Sequence, residues 1–324
     1  MPSKKLFLSS IVLFVLLSSP LVVLVEAEPS WVIWSQTYGG TKEDCANSLI
    51  ETSDGGYALA GNRRSFGAGD EDFWLIKTDG SGNMEWNQTY GEGEVSSLVE
   101  ASDGGYALAG NTCSFGAGNN DVWLIKTDAY GNIEWNQTYG GAGEEYAFSL
   151  VEPSDGGFAL AGSTYPIGGD EDFWLVKTDG TGNMEWNQTY GGEEHNIAYA
   201  LVGTSDGGYA LAGGIGSFSI DEYDVWLVKT DGSGNMEWNH TYGGAKGDIA
   251  YSLVEASDGG YAIAGSTRTF GAGDEDFWLI KTNEQGVPEF PLWAPLLVML
   301  VVVMAVAVIY RRILNKPNGG RMVQ

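Results

Sequence analysis

Along most of this chain, four kinds of short apolar segment alternate with glycine-rich polar stretches in a fixed order. The first kind, for example YSLVEA at 251–256, leads into a Ser-Asp-Gly-Gly sequence. The second is GYALAG, in which alternate alanines, 58 and 60 or 107 and 109, share one face of a strand. The third, FWLIK, is apolar on both faces, as expected of a strand sandwiched between neighbours. The fourth is MEWNQTY. Asp-Gly-Gly tolerates the positive φ of a tight hairpin between the first two, a Gly-rich loop such as SFGAGDED (65–72) leads to the third, and GSGN turns it into the fourth. Four antiparallel strands in about 50 residues is the size of one propeller blade.

The unit occurs five times. Ser-Asp-Gly-Gly begins at Ser53, Ser102, Ser154, Ser205 and Ser257, and the third-strand tryptophan keeps step at Trp74, Trp123, Trp174, Trp226 and Trp278. A segment of fourth-strand type, WSQTYGG at 34–40, precedes the first unit, and none follows FWLIKTN, which ends at Asn283. The early copy is therefore predicted to fill the outer edge of the last blade. This gives an all-β, five-bladed β-propeller of four-stranded antiparallel blades over residues 31–283, closed by its N-terminal strand and without open edges. An open solenoid of stacked hairpins is the competing architecture.

The repeat, carried by YGG and EDCANSLIETSDGGYALAG within 38–61 and by DFWLIKTDGSGNMEW at 72–86, resembles the β-propeller repeat of secreted bacterial and archaeal surface proteins. Members of that family are often seven-bladed. The resemblance implies a propeller and an extracellular setting, and no single activity. SGNMEW at 81–86 is also similar to the quinoprotein-type repeat, in which a turn precedes a docking tryptophan, but quinone ligands have no counterpart in the chain.

The two ends read differently. Lys4 and Lys5, an apolar run from Leu6 to Val25, and a small residue at Ala27 fit a helical secretory signal over 1–27, cut after Ala27; an uncleaved anchor is the other reading. Residues 292–310 are long and apolar enough to span a bilayer as a helix, and Arg311, Arg312 and Lys316 place the tail, 311–324, in the cytoplasm. The linker 284–291 contains VPEFP. This motif, the apolar helix and the basic tail together resemble the PEF-type C-terminal sorting signal of archaeal surface proteins. That resemblance implies a membrane sortase-like transpeptidase that reads Pro288, Glu289 and Phe290. Between Pro29 and Val287 there are 40 acidic and ten basic residues, a balance that would repel nucleic acid. Cys45 and Cys113 occupy non-equivalent places in the repeat, which leaves either one bridge or two separate buried thiols.

For chemistry, agreement among units marks residues that serve the blade, and disagreement marks candidates for a site. Asp54, Asp103, Asp155, Asp206 and Asp258 occur in every hairpin and read as turn residues; Lys77, Lys126, Lys177, Lys229 and Lys281 read as carboxylate partners. The aspartates before every third strand cap loops or, with their neighbours in GDED, bind calcium, the only cofactor suggested; the candidate ligands are Asp70, Asp72, Asp170, Asp172, Asp274 and Asp276. DGSGN at 79–83 and 231–235 has part of a calcium-loop sequence but no downstream bidentate glutamate, and a hairpin turn accounts for it. Asn87, Asn136, Asn187 and Asn239 begin Asn-x-Thr triplets and are either N-glycosylation acceptors or the polar face of an outer strand. The two histidines, His195 and His240, form no triad order or metal spacing. Glu43, Asp44, Glu94, Glu144, Glu145 and Asp248 are the acids that a glycosidase could turn into a channel. The expectation is a non-catalytic cell-surface module, membrane-anchored through its C-terminal helix, that binds a glycan or a surface protein or serves as a structural component of the envelope. A glycan-cleaving hydrolase is the alternative.

Overall fold

The computed structural model describes residues 33–65, 71–217 and 222–288. They fall in two units, one ending at Ser35 and one beginning at Gln36, and every strand belongs to the second. The described residues contain no helix. The signal segment with Ala27, Asp70, Glu289 and Phe290, the span 292–310 and the basic tail lie outside them.

The strands form five antiparallel sheets, each in chain order. The first holds β1 (Asp44–Glu51), β2 (Tyr57–Arg63), β3 (Asp72–Thr78) and β4 (Met84–Glu92). The second holds β5 (Glu94–Glu100), β6 (Tyr106–Thr112), β7 (Asp121–Thr127) and β8 (Ile133–Tyr139). The third holds β9 (Glu144–Val151), β10 (Phe158–Tyr165), β11 (Asp172–Thr178) and β12 (Met184–Tyr190). The fourth holds β13 (His195–Gly203), β14 (Tyr209–Ser217), β15 (Glu222–Thr230) and β16 (Met236–Tyr242). The last holds β17 (Asp248–Glu255), β18 (Tyr261–Thr267) and β19 (Asp276–Lys281).

Glycine serves two places in every unit. The first glycine of each Asp-Gly-Gly hairpin, such as Gly55 or Gly207, has φ between +81° and +87°, where a side chain is strained. The glycine closing GYALAG faces a β-bulge in the first strand, where Asn47, Ser96, Phe148, Tyr199 or Tyr251 is the extra residue. A Cβ on Gly61, Gly110, Gly162, Gly213 or Gly265 would lie 1.8–2.0 Å from a carbonyl oxygen of the bulged strand.

Each third strand ends on a lysine whose ammonium is tied inside its own blade. Lys77, Lys126, Lys177 and Lys229 are 3–4% exposed. Each reaches the hairpin aspartate at 2.7–2.9 Å and a fourth-strand glutamate at 2.8–3.0 Å. Lys281 pairs with Asp258 at 2.8 Å. The pairing expected of the repeated lysines is thus present in all five units.

Successive sheets stack so that each first strand packs on the first three strands of the sheet before it. One apolar core fills each junction. At the first junction Ala58, Ala60, Phe73 and Leu75 meet Val95, Leu98, Leu108 and Trp123 of the next sheet. Small alanines allow the close approach, and the aromatic and branched residues opposite them fill the space. Bonds cross the junctions as well. Tyr90, Tyr139, Tyr190 and Tyr242 each donate to the turn glycine carbonyl of the next unit, at 2.5–2.9 Å.

Among the described residues the expected closing strand is not formed: residues 36–40 carry no strand, and β19 has no strand partner on its outer side. The chain after β19 makes the usual third-to-fourth-strand turn, with Asn283 in the aspartate position, and Pro288 returns to bridge Thr282. Its own continuation therefore enters the edge where the N-terminal segment would have begun. Residues 36–40 nevertheless meet the first sheet as the fourth strand of a preceding sheet would, Tyr38 donating to the Gly82 carbonyl at 2.5 Å as Tyr90 does to Gly131. The faces that ring closure would bury stay open: Phe277 is 103% exposed and Leu279 72%, and Leu49 is 63% exposed. Cys45 and Cys113 are unbridged and, contrary to the expectation of buried thiols, exposed. Cys45 lies on the uncovered first strand of the array, and Cys113 lies just beyond the end of β6.

Candidate functional site

Most of the acids singled out in the sequence serve the backbone. Asp79, Asp128, Asp179 and Asp231 accept bonds from the N–H groups two and four residues ahead, so the two DGSGN segments and their counterparts at 128–132 and 179–183 are Asx turns. Asp172 accepts from Gly192 N–H, and Asp276 from Ala272 and Gly273 N–H, all at 2.9–3.0 Å. Asp72 is buried, and Asp170 and Asp274 are exposed. Among the described residues, no three His, Cys, Asp or Glu side chains gather closely enough to hold a metal. Of the suggested channel acids, Asp44, Glu145 and Asp248 accept backbone N–H bonds from Gly40, Gly141 and Gly244, and Glu43 pairs with Arg64 at 3.0 Å. Asn87, Asn136, Asn187 and Asn239 are exposed on the fourth strands. Each Oδ1 accepts a 3.1 Å bond from the third-strand tryptophan of its own sheet. Pro288 is exposed in the bridge to Thr282.

The first strands lie side by side along the inner edge of the array, and there the bulged residues differ from unit to unit. In the first two they are Asn47 and Ser96; in the last three, Phe148, Tyr199 and Tyr251. Ring centroids of Phe148 and Tyr199 are 5.1 Å apart, and those of Tyr199 and Tyr251 are 5.4 Å apart. Tyr146 stacks on Phe148 at 6.4 Å with the planes 10° apart. Four rings from three sheets thus make a continuous aromatic row that ends on the exposed Tyr251. A bulge re-aims its extra side chain, and here it turns three rings toward one another. Acids are not the only residues that break the pattern: the position two residues before the first-strand leucine holds Asn47, Ser96, Phe148, Tyr199 and Tyr251, and it picks out the aromatic set.

Next to the row, a cavity of about 560 Å³ is lined by Glu144, Tyr146, Tyr165, Glu171 and His195. The Tyr146 hydroxyl donates to Glu144 at 2.9 Å, Ser163 donates to Glu171 at 2.6 Å, and His195 Nδ1 stands 3.8 Å from Glu171. A second cavity, about 700 Å³, shares Tyr146 and holds Glu71, Glu92, Glu94, Arg64 and Lys42. Within it Glu94 is exposed at the start of β5, and partial desolvation with a hydrogen bond to Glu71 pushes its carboxyl above the ordinary glutamate range, against the pull of Arg64. Arg64 also forms an ion pair with Glu71. Burial, with Asp121 and Glu144 nearby, likewise raises Glu145.

Repeat, sheet order and junction chemistry define a β-propeller-type repeat protein with an aromatic and acidic inner edge. No protein-family model matches the chain. Over 117 residues, 32% of its length, it is 26% identical to the regulatory protein FlaEY of Caulobacter vibrioides, and the match spans 12% of that protein. Among solved structures it is similar to a protein of unknown function from Dyadobacter fermentans, with 13% identity, 76% of this chain and 81% of the other covered, and a TM-score of 0.47. It is also similar to an endo-arabinase from Bacteroides thetaiotaomicron, with 10% identity, 79% and 98% covered, and a TM-score of 0.43. An endo-arabinanase from Bacillus licheniformis gives 16% identity, 78% and 100% covered, and a TM-score of 0.38.

Proposed function

We propose that the protein is a non-catalytic module of the cell surface that binds a neutral glycan along its inner edge. The aromatic row Tyr146, Phe148, Tyr199 and Tyr251 carries this reading. Flat rings accept the C–H face of a sugar, and the carboxylates of Glu144 and Glu171 beside them can accept its hydroxyls. With 40 acidic residues against ten basic ones between Pro29 and Val287, anionic polysaccharide is disfavoured. In the same reading the chain is exported, carries glycans on Asn87, Asn136, Asn187 and Asn239, and is held at the membrane by residues 292–310 until a sortase-like transpeptidase reads Pro288, Glu289 and Phe290. Calorimetric titration of the full chain against a panel of neutral oligosaccharides tests the binding. At least one should bind with no release of reducing ends, and Tyr199→Ala should weaken it about tenfold or more, roughly 1.4 kcal/mol. Failure of every sugar to bind, or an unchanged affinity in the variant, sinks the reading.

One observation favours a second reading, glycan hydrolysis. Glu94 keeps its proton to higher pH than an ordinary glutamate and lines the larger cavity, as a general acid must. Release of reducing ends from a neutral polysaccharide, abolished by Glu94→Gln, would establish that reading in place of the first.

A further inference from the structure

We infer that the two open end faces of the array are the halves of one more junction, and that a second copy of this chain joins them head to tail. The four junctions inside the chain define what each face fits. On the forward side a sheet presents two alanines, a Phe or Val, and a Leu; on the receiving side the next sheet presents the first-strand leucine. The fifth sheet ends the array with the forward set, Ala262, Ala264, Phe277 and Leu279, and the first sheet begins it with the receiving residue, Leu49. Leu98, Leu150, Leu201 and Leu253, the equivalents of Leu49, are 3–5% exposed, and Phe73 and Phe173, the equivalents of Phe277, are 0% exposed.

The polar contacts of the junctions are duplicated at the ends too. The hydroxyls of Ser48, Ser97 and Ser149 accept from the N–H of Leu98, Leu150 and Leu201 in the next sheet, at 3.1–3.2 Å. Ser252 waits in that place on the fifth sheet, exposed, and Leu49 is the matching residue on the first. Hairpin serines Ser53, Ser102 and Ser205 each make two bonds to a glutamate of the next sheet, Glu100, Glu152 and Glu255. At the ends, Ser257 and Glu51 are that pair, both exposed. Tyr38 already makes, on Gly82, the contact that the fourth-strand tyrosine of a preceding sheet makes elsewhere. The apolar set, the serine acceptor and the serine–glutamate clasp are therefore all present on opposite ends of one molecule, which is the condition for a heterologous contact between copies.

A cysteine trap on the purified full chain decides it. With Cys45 and Cys113 changed to serine, Ser257→Cys and Glu51→Cys are introduced together and oxidised. Interchain dimers and higher species on a non-reducing gel are expected, matched by an oligomer of the parent chain in light scattering. Complementation provides a second measurement. Phe277→Asp alone and Leu49→Asp alone, each altering an exposed side chain, should run as monomers, and an equimolar mixture of the two should recover a dimer through the one intact junction. A disulfide formed only within single chains would overturn the proposal in favour of intramolecular closure. A monomeric parent chain, or variants that stay oligomeric alone, would overturn it as well.

Discussion

At the scale of single residues, the hairpin aspartate shows how one side chain serves turn and core together. Asp206 accepts from Gly208 N–H and Thr204 and receives the buried ammonium of Lys229. Burial alone would raise its carboxyl; the bonds from Lys229, Thr204 and Gly208 outweigh that and hold it at about 2. A folded value below the unfolded one, about 3.9, means that the unfolded chain binds more protons in between. The stabilisation is complete above about pH 4 and disappears as pH falls toward 2. Because the Asp206 side chain is 58% exposed, its contribution is screened to about 1 kcal/mol or less. Urea unfolding at pH 6 and at pH 2.5 should show Asp206→Asn with a smaller loss of stability on acidification than the parent chain. An identical loss in both would remove Asp206 from the acid response. The repetition of the lysine in every unit made a carboxylate partner legible in the sequence. That the partners would be the hairpin aspartate and a fourth-strand glutamate was not legible, because strand register decides it.

At the scale of the element, the bulge joins fold to site. Gly213 leaves room for the Ile197 carbonyl, 1.8 Å from where a Cβ would stand, and so permits the kink that presents Tyr199. Gly207, in the hairpin that leads into the same strand, has φ +87° and open space around its Cβ position. The two glycines therefore fail differently. Gly207→Ala should cost about 1–2 kcal/mol through its backbone and leave glycan titration unchanged. Gly213→Ala should cost more and also weaken binding, since Tyr199 can no longer meet Phe148 and Tyr251. If titration shows equal affinity for both variants, the bulge is not what presents the site. Strand number, hairpins and sheet order could be read from the repeat because turn residues and two-sided apolar runs recur in phase. The bulges could not, since one inserted residue in a strand of seven to nine leaves no compositional trace beyond a glycine on the neighbouring strand.

At the scale of the whole molecule, five equivalent sheets do not by themselves make a ring. Counting strands suggested closure, but the count contains no angle. Closure depends on how neighbours pack, and beyond the four junctions, each filled by alanine pairs against aromatic and branched residues, Phe277 and Leu279 stay uncovered. An array of this kind is stabilised by nearest-neighbour terms, so a residue's importance depends on whether its sheet has a successor. Phe173 and Phe277 occupy the same place in their units, yet one is 0% and the other 103% exposed. At protein concentrations low enough to keep the chain monomeric, Phe173→Ala should lower unfolding free energy by about 3–5 kcal/mol, whereas Phe277→Ala should change it by less than about 0.5 kcal/mol. Chain closure predicts the opposite for the second variant, because a ring would bury Phe277 as deeply as its four equivalents and make both substitutions equally damaging.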